Sequence, residues 1–219
     1  MTTFTKLKWA VQNLSAVAAL QDIVAPGPLL LNGTFFDPAI PDQVALIKAK
    51  MIRSISLTSV NNLSGTNFVI TGLQNSAYVS ETLSGPNNNT IYGTKYYDIV
   101  TSVVANTVVN GIQVGTGDTG FLPLLVVNTN ASIINYSASV LLPAGSGINY
   151  SLFQTLDQIN NNFIPFLNQE SQLFPAFGLA NETTSQIANS LLITNFVLVK
   201  VNSSALPITD TFEFILLQE

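Results

Sequence analysis

The stretch SISLTSVNNLSGTNFVITG, residues 54–72, decides the fold. In its first part Ile55 and Leu57 share one face while Ser54, Ser56 and Thr58 share the other, the two-residue period of a half-buried strand. NFVITG (67–72) repeats the pattern with Phe68 and Ile70 inward, and NNLSG between them is a polar loop of hairpin length. Downstream follow AYVSETL (77–83), TKYYDIVTSVVA (94–105) and GIQVGTG (111–117). Their turns are punctuated by Gly72, Gly85-Pro86 and Gly111. The turn SGPNNN (84–89) reads as closing a strand pair. From Arg53 onward β-formers alternate with turn clusters at intervals of roughly 8 to 15 residues, the rhythm of an all-β sandwich or barrel.

After GTGDTG (115–120), which reads as an interdomain turn, a second series begins. It comprises LPLLVVNT (122–129), INYSASVLL (134–142), INYSLFQTL (148–156), ITNFVLVKV (193–201) and TFEFILLQ (211–218). In the fourth, Phe196, Leu198 and Lys200 oppose Val197, Val199 and Val201, so both faces are apolar enough to be covered. Residues 157–190 show no clear periodicity and carry Phe163, Phe166, Phe174 and Phe177 beside prolines. These four either cap an open end of the second sandwich or form an arm that reaches a neighbouring subunit. In the first fifty residues, Leu29, Leu30 and Leu31 before Asn32-Gly33 suggest a strand and turn. VALIKAKM (44–51) reads as a helical turn or, preferably, as the start of the strand that ends at Ser59. The expected architecture is two jelly-roll-like β-sandwich domains in tandem with little helix. Residues 1–51 are an N-terminal arm or first strands joining domain 1, residues 52–120 are domain 1, and residues 121–219 are domain 2 with the 157–190 insertion.

Composition narrows function. Hydrophobic residues make up 47% of the chain and charged residues only 9%, against about 25% charged in an average soluble domain. The surface must therefore be dressed with Asn, Ser, Thr and Gln, which gives little electrostatic protection against association. Five of the seven basic residues precede Ser54, and no basic stripe of the kind nucleic-acid binding requires is visible. The longest apolar run, FLPLLVV (121–127), falls far short of the ~18 residues a membrane helix needs. Lys6 and Lys8 precede WAVQNLSAVAAL, but Gln12, Asn13 and Ser15 interrupt its apolar core, so no cleaved leader is expected.

Chemistry is scarce. With no cysteine and no histidine, thiolate catalysis, disulfides and the usual general base are excluded. Paired carboxylates remain able to hydrolyse glycosides, but Glu81, Asp98, Asp118, Asp157, Asp210 and Glu213 form no motif. GTGDTG lacks the Lys-Ser/Thr ending of a phosphate loop. A calcium site from Asp118, Asn128 and Asn130 lacks the spacing of a calcium-binding loop. No catalytic residue, cofactor or metal is expected. Asn-X-Ser/Thr sequons recur, for example at Asn62, Asn88, Asn130, Asn135 and Asn181, and two of them fall inside expected strands, so glycosylation explains them poorly.

The order SISLTSVNNLSGTNFVITG, SETLSGPNNNTIYGTKYYDIVTSV and GIQVGTG resembles a β-rich module of structural proteins from tailed bacteriophages. The resemblance covers residues 52–117 and extends more loosely through INYSLFQTLD (148–157). It implies a virion component lying on the capsid or at the tail and acting by binding rather than turnover, with the outer capsid surface the favoured station. That component would be a decoration or cement protein bound to itself, as a trimer, and to the major capsid protein. Phe163, Phe166, Phe174 and Phe177 are the expected contact anchors, since aromatics fill interface pockets disproportionately. The alternative is a tail or fibre domain that binds a host receptor or glycan, although Trp9 lies far in sequence from the candidate acids.

Overall fold

The computed structural model describes residues 3–9, 12–40, 43–46, 52–74, 77–122, 125–126, 135–142, 147–155, 174–176, 178–191, 196–204 and 212–218. Among them every named element is a β-strand, seventeen in all, and the fold is all-β and sandwich-like. The chain divides into two compact units, residues 12–118 and a second unit made of the N-terminal strand with residues 119 onward.

In the unit of residues 12–118 one sheet has the order β3 (Gly27–Pro28), β9 (Ile99–Ala105), β6 (Asn67–Gln74), β7 (Ala77–Ser84), with β4 (Val44–Ala45) also on β9. Opposed strands are β8 (Thr90–Tyr92), β5 (Ile52–Thr58) and β10 (Val109–Phe121), with β2 (Ala18–Ile23) on β10. The core is assembled from Ile55 and Leu57 of β5, Phe68 and Ile70 of β6, Val79 of β7, Val100 and Val103 of β9, and Ile112 and Val114 of β10. Phe68 and Ile70 are fully buried while Asn67 and Val69 are exposed, so alternation in NFVITG reads directly as the inward face.

Three local expectations are corrected. Ser54 and Ser56 are buried, not solvated, and their side chains reach sideways to the glycine-rich part of β10, the strand beside β5 in the same sheet. A Cβ on Gly117 would come within 2.1 Å of Ser54 Oγ, and Ser56 Oγ donates to Thr116 O at 3.1 Å. GTGDTG is not a turn but the second half of the thirteen-residue β10. Gly117 leaves the room that the Ser54 side chain takes, and Gly115 leaves room for the backbone of Asn13 and Leu14. Finally, NNLSG and SGPNNN do not close strand pairs: β5 and β6 belong to different sheets, as do β7 and β8, so both loops cross between layers. They brace one another through Leu63 N–H to Pro86 O at 2.7 Å and Asn88 N–H to Asn61 O at 3.2 Å.

In the other unit β1 (Thr3–Trp9) pairs along its whole length with β17 (Phe212–Gln218), which pairs with β12 (Asn135–Leu141), which pairs with β15 (Gln186–Leu191). A second layer runs β14 (Phe174–Pro175), β13 (Ile148–Thr155), β16 (Phe196–Ser204) and the last residues of β10, with β11 (Leu125–Val126) on β16. Ile148, Tyr150 and Leu152 of β13 and Val197, Val199 and Val201 of β16 are buried together with Val140 and Phe214. The aperiodic segment of the sequence thus contains β14 and β15. Its residues 176 and 178–182 lie along β13, with Ala176 N–H on Leu152 O at 2.8 Å and Glu182 N–H on Tyr150 O at 2.8 Å.

Candidate interaction surface

Of the four phenylalanines expected at an interface, Phe163, Phe166 and Phe177 lie outside the described residues. Phe174 sits on β14 opposite Gln154 of β13.

The candidate acids are dispersed. Asp157 and Asp210 lie outside the described residues. Glu213 is on β17 opposite Lys8 of β1 and Leu141 of β12. Asp98 is buried directly after Tyr97, whose backbone is bracketed by Arg53 through two hydrogen bonds of 2.8 and 3.1 Å. Arg53 itself is wholly buried, with Nη1 donating to Thr116 Oγ1 at 3.3 Å. Burial pulls its guanidinium down to about 9 while the charge of Asp118 acts in the opposite direction. Glu81 of β7 turns under its sheet, where Oε2 accepts the backbone N–H of Thr94 at 2.9 Å and of Lys95 at 3.3 Å. Burial first, and the charge and hydrogen bond of Glu81 second, push the Tyr97 phenol well above its usual range. The structure therefore brings Glu81, Tyr97, Asp98, Arg53 and Asp118 into one neighbourhood that fastens β5, β7 and the approach to β9.

Asp118 lies on β10, and Asn128 and Asn130, the other candidate calcium ligands, lie outside the described residues. Among the described residues no group of three or more His, Cys, Asp or Glu is placed to hold a metal ion. No helix among them is long and apolar enough to cross a membrane.

What the first unit does present is a neutral surface with aliphatic residues on it. β2 alternates Ala19, Gln21 and Ile23 inward with Leu20 and Asp22 outward. Val24 follows and is 90% exposed. Because Ile23 pairs with the buried Val109, the neighbouring Val24 and Val108 both point out. Gly111, at φ +66°, lies between the side chains of Leu20 and Asn61. Val60, adjacent to Asn61, is 82% exposed. The one charge here is spent locally, since Asp22 Oδ1 accepts the N–H of Gly111 at 2.7 Å. Asn61 Nδ2 likewise donates to Asn110 O at 2.9 Å. Leu20, Val24 and Val108 thus stand out where β2 meets β10, and Val60 stands out next to Asn61, apolar side chains among exposed amides, the composition of an interface core with a polar rim.

Sequence reasoning missed this group. Its signal is an aliphatic residue isolated among turn formers, as in IVAPGP (23–28) and SVNN (59–62), where no strand period accounts for it. Compared with protein-family models, with curated proteins and with solved structures, the chain matches none.

Proposed function

We propose that the chain is a non-enzymatic structural protein of a virion, a decoration or cement protein of the outer capsid that binds itself and the major capsid protein. The observation that carries the reading is the exposed group Leu20, Val24, Val60 and Val108, set in a surface almost without charge. Apolar side chains left exposed are costly in water and favourable once covered. The resemblance of residues 52–117 to phage virion modules points the same way.

The test is binding to shells assembled from the major capsid protein. Val24→Asp with Val108→Asp places two charges in the group without touching either core. Binding is expected to weaken by at least about tenfold with an unchanged thermal midpoint. Undiminished binding removes this surface from the capsid contact.

A tail or fibre domain that reads a host glycan is favoured by one feature. Asn61, Asn62, Asn87, Asn88, Asn89 and Asn106 stand exposed on loops bonded to one another, a dense display of amide donors and acceptors. A reproducible glycan-array hit abolished by Asn88→Ala would establish that reading in place of capsid decoration.

A further inference from the structure

We infer that the open edge of β7 is a self-pairing surface, through which two copies of the chain join their sheets antiparallel about a two-fold axis. The inference rests on the self-association part of the proposed function.

Every sheet has edges that invite another strand, and proteins usually disarm them by shortness, proline or lysine. That pattern is visible here. β3 and β14 are two residues long and contain Pro28 and Pro175, β8 is three residues long, and β1 carries Lys6 and Lys8. β15 is six residues long without such a device, and β7 is eight residues long with no proline, lysine or register break. Among the described residues β7 pairs only with β6.

The register fixes which groups face outward. Gly85 N–H donates to Thr66 O at 2.7 Å, flanking the pair Ser84 and Asn67, so that pair is the non-hydrogen-bonded kind. Alternation then directs the N–H and C=O of Val79, Glu81 and Leu83 to β6, and those of Tyr78, Ser80, Thr82 and Ser84 to the open side. The side chains of these last four are all exposed, Tyr78 by 72%, and none is charged.

A second copy fits this edge better than an arbitrary strand because the sequence is complementary to itself. An antiparallel pair must oppose even-numbered residues to even-numbered ones. Centred on Ser80, it sets Ser80 against Ser80 and Tyr78 against Thr82 on the exposed face, and Val79 against Glu81 on the other. That gives roughly six main-chain hydrogen bonds and the hydroxyl and aromatic to β-branched pairings that sheets favour. Centring on Glu81 would oppose two carboxylates, so the one charge of the strand selects the register. It does not block pairing, because it is turned under the sheet onto the N–H groups of Thr94 and Lys95.

Ser80→Cys supplies the test, since the chain has no other cysteine. Under mild oxidation S80C is expected to form disulfide dimers nearly completely, while Ser64→Cys, at another exposed serine, does not. Ser80→Pro removes only an outward N–H and leaves the β6 ladder whole. Ser80→Lys sets two cations face to face and keeps the test valid should the proline variant misfold. Both are expected to convert the sedimenting dimer to monomer. A wild-type monomer at about 0.1 mM overturns the inference and self-association with it. An oligomer, a trimer included, that survives both variants overturns the β7 pairing and leaves self-association standing. Loss of shell binding with the dimer intact would assign the edge to a strand of the capsid protein and overturn pairing between copies.

Discussion

Arg53 is the residue at which composition, burial and charge meet. It enters β5 where the sequence reads as an ordinary strand start, yet it is fully buried against Thr116. Its folded-state pKa of about 9 lies below the ordinary 12.5, so between those values the unfolded chain holds more protons and this group's contribution to stability rises with pH. Tyr97 and Tyr150 have the opposite sign. Burial raises both, with help from Glu81 and Glu182 respectively, so their contribution is complete below pH 10 and declines above it. Arg53→Ala is expected to cost about 3 kcal/mol at neutral pH through its cavity and the broken buried contact. The gap between wild type and R53A should widen from pH 9 to pH 11 in urea titrations, even as both proteins lose stability above pH 10. A constant gap would mean that Arg53 is not desolvated. Sequence alone gave no hint of this, since a lone arginine before SISLTSV is ordinarily a solvated one.

At the scale of elements, much was legible and the failures have one cause. Period-two alternation found the inward faces of β5 and β6, and runs of β-formers located β9, β12, β13, β16 and β17, because a strand's own residues carry both signals. Ser54 and Ser56 misled because the partner of their face is Gly117 and Thr116 of a strand sixty residues on. Turn chemistry likewise announced that the chain reverses at NNLSG and SGPNNN without saying into which sheet. The fit of β5 beside β10 in their shared sheet is therefore best tested by coupling. Gly117→Ala should cost about 2 kcal/mol by overpacking against Ser54, and Ser54→Ala should recover part of that loss when combined with it. Strict additivity in the double-mutant cycle would show that the two strands adjust independently. The exposed aliphatic residues left only the faint signal of a valine isolated among turn formers, and the bare edge of β7 left none, since a sheet's edges depend on strand order.

For the whole molecule, the two units differ in how the chain builds them. Residues 12–118 form a continuous unit with its own core, whereas the other draws β1 from one side of it and the remaining strands from the other. Residues 12–118 expressed alone are expected to unfold in a single cooperative transition. Residues 119–219 expressed alone leave the β1 side of β17 unpaired and should aggregate or melt at least about 5 °C below the same unit in the whole chain. Equal behaviour of that fragment with and without an added copy of residues 1–11 would show that β1 is dispensable. A surface this poor in charge also predicts that self-association changes less than about threefold between 0.05 and 0.5 M salt, as measured by sedimentation.

The pairing of β1 with β17 also sets a timetable. Thr3 faces Gln218, so the ribosome makes β1 long before it makes the partner strand β17. At about 5–20 residues per second that interval is roughly 10–40 s, during which residues 12–118 emerge entire and can fold behind it. Lys6 and Lys8 then serve a purpose the finished protein does not reveal: they keep a nascent, unpartnered strand from finding the wrong companion before its own exists.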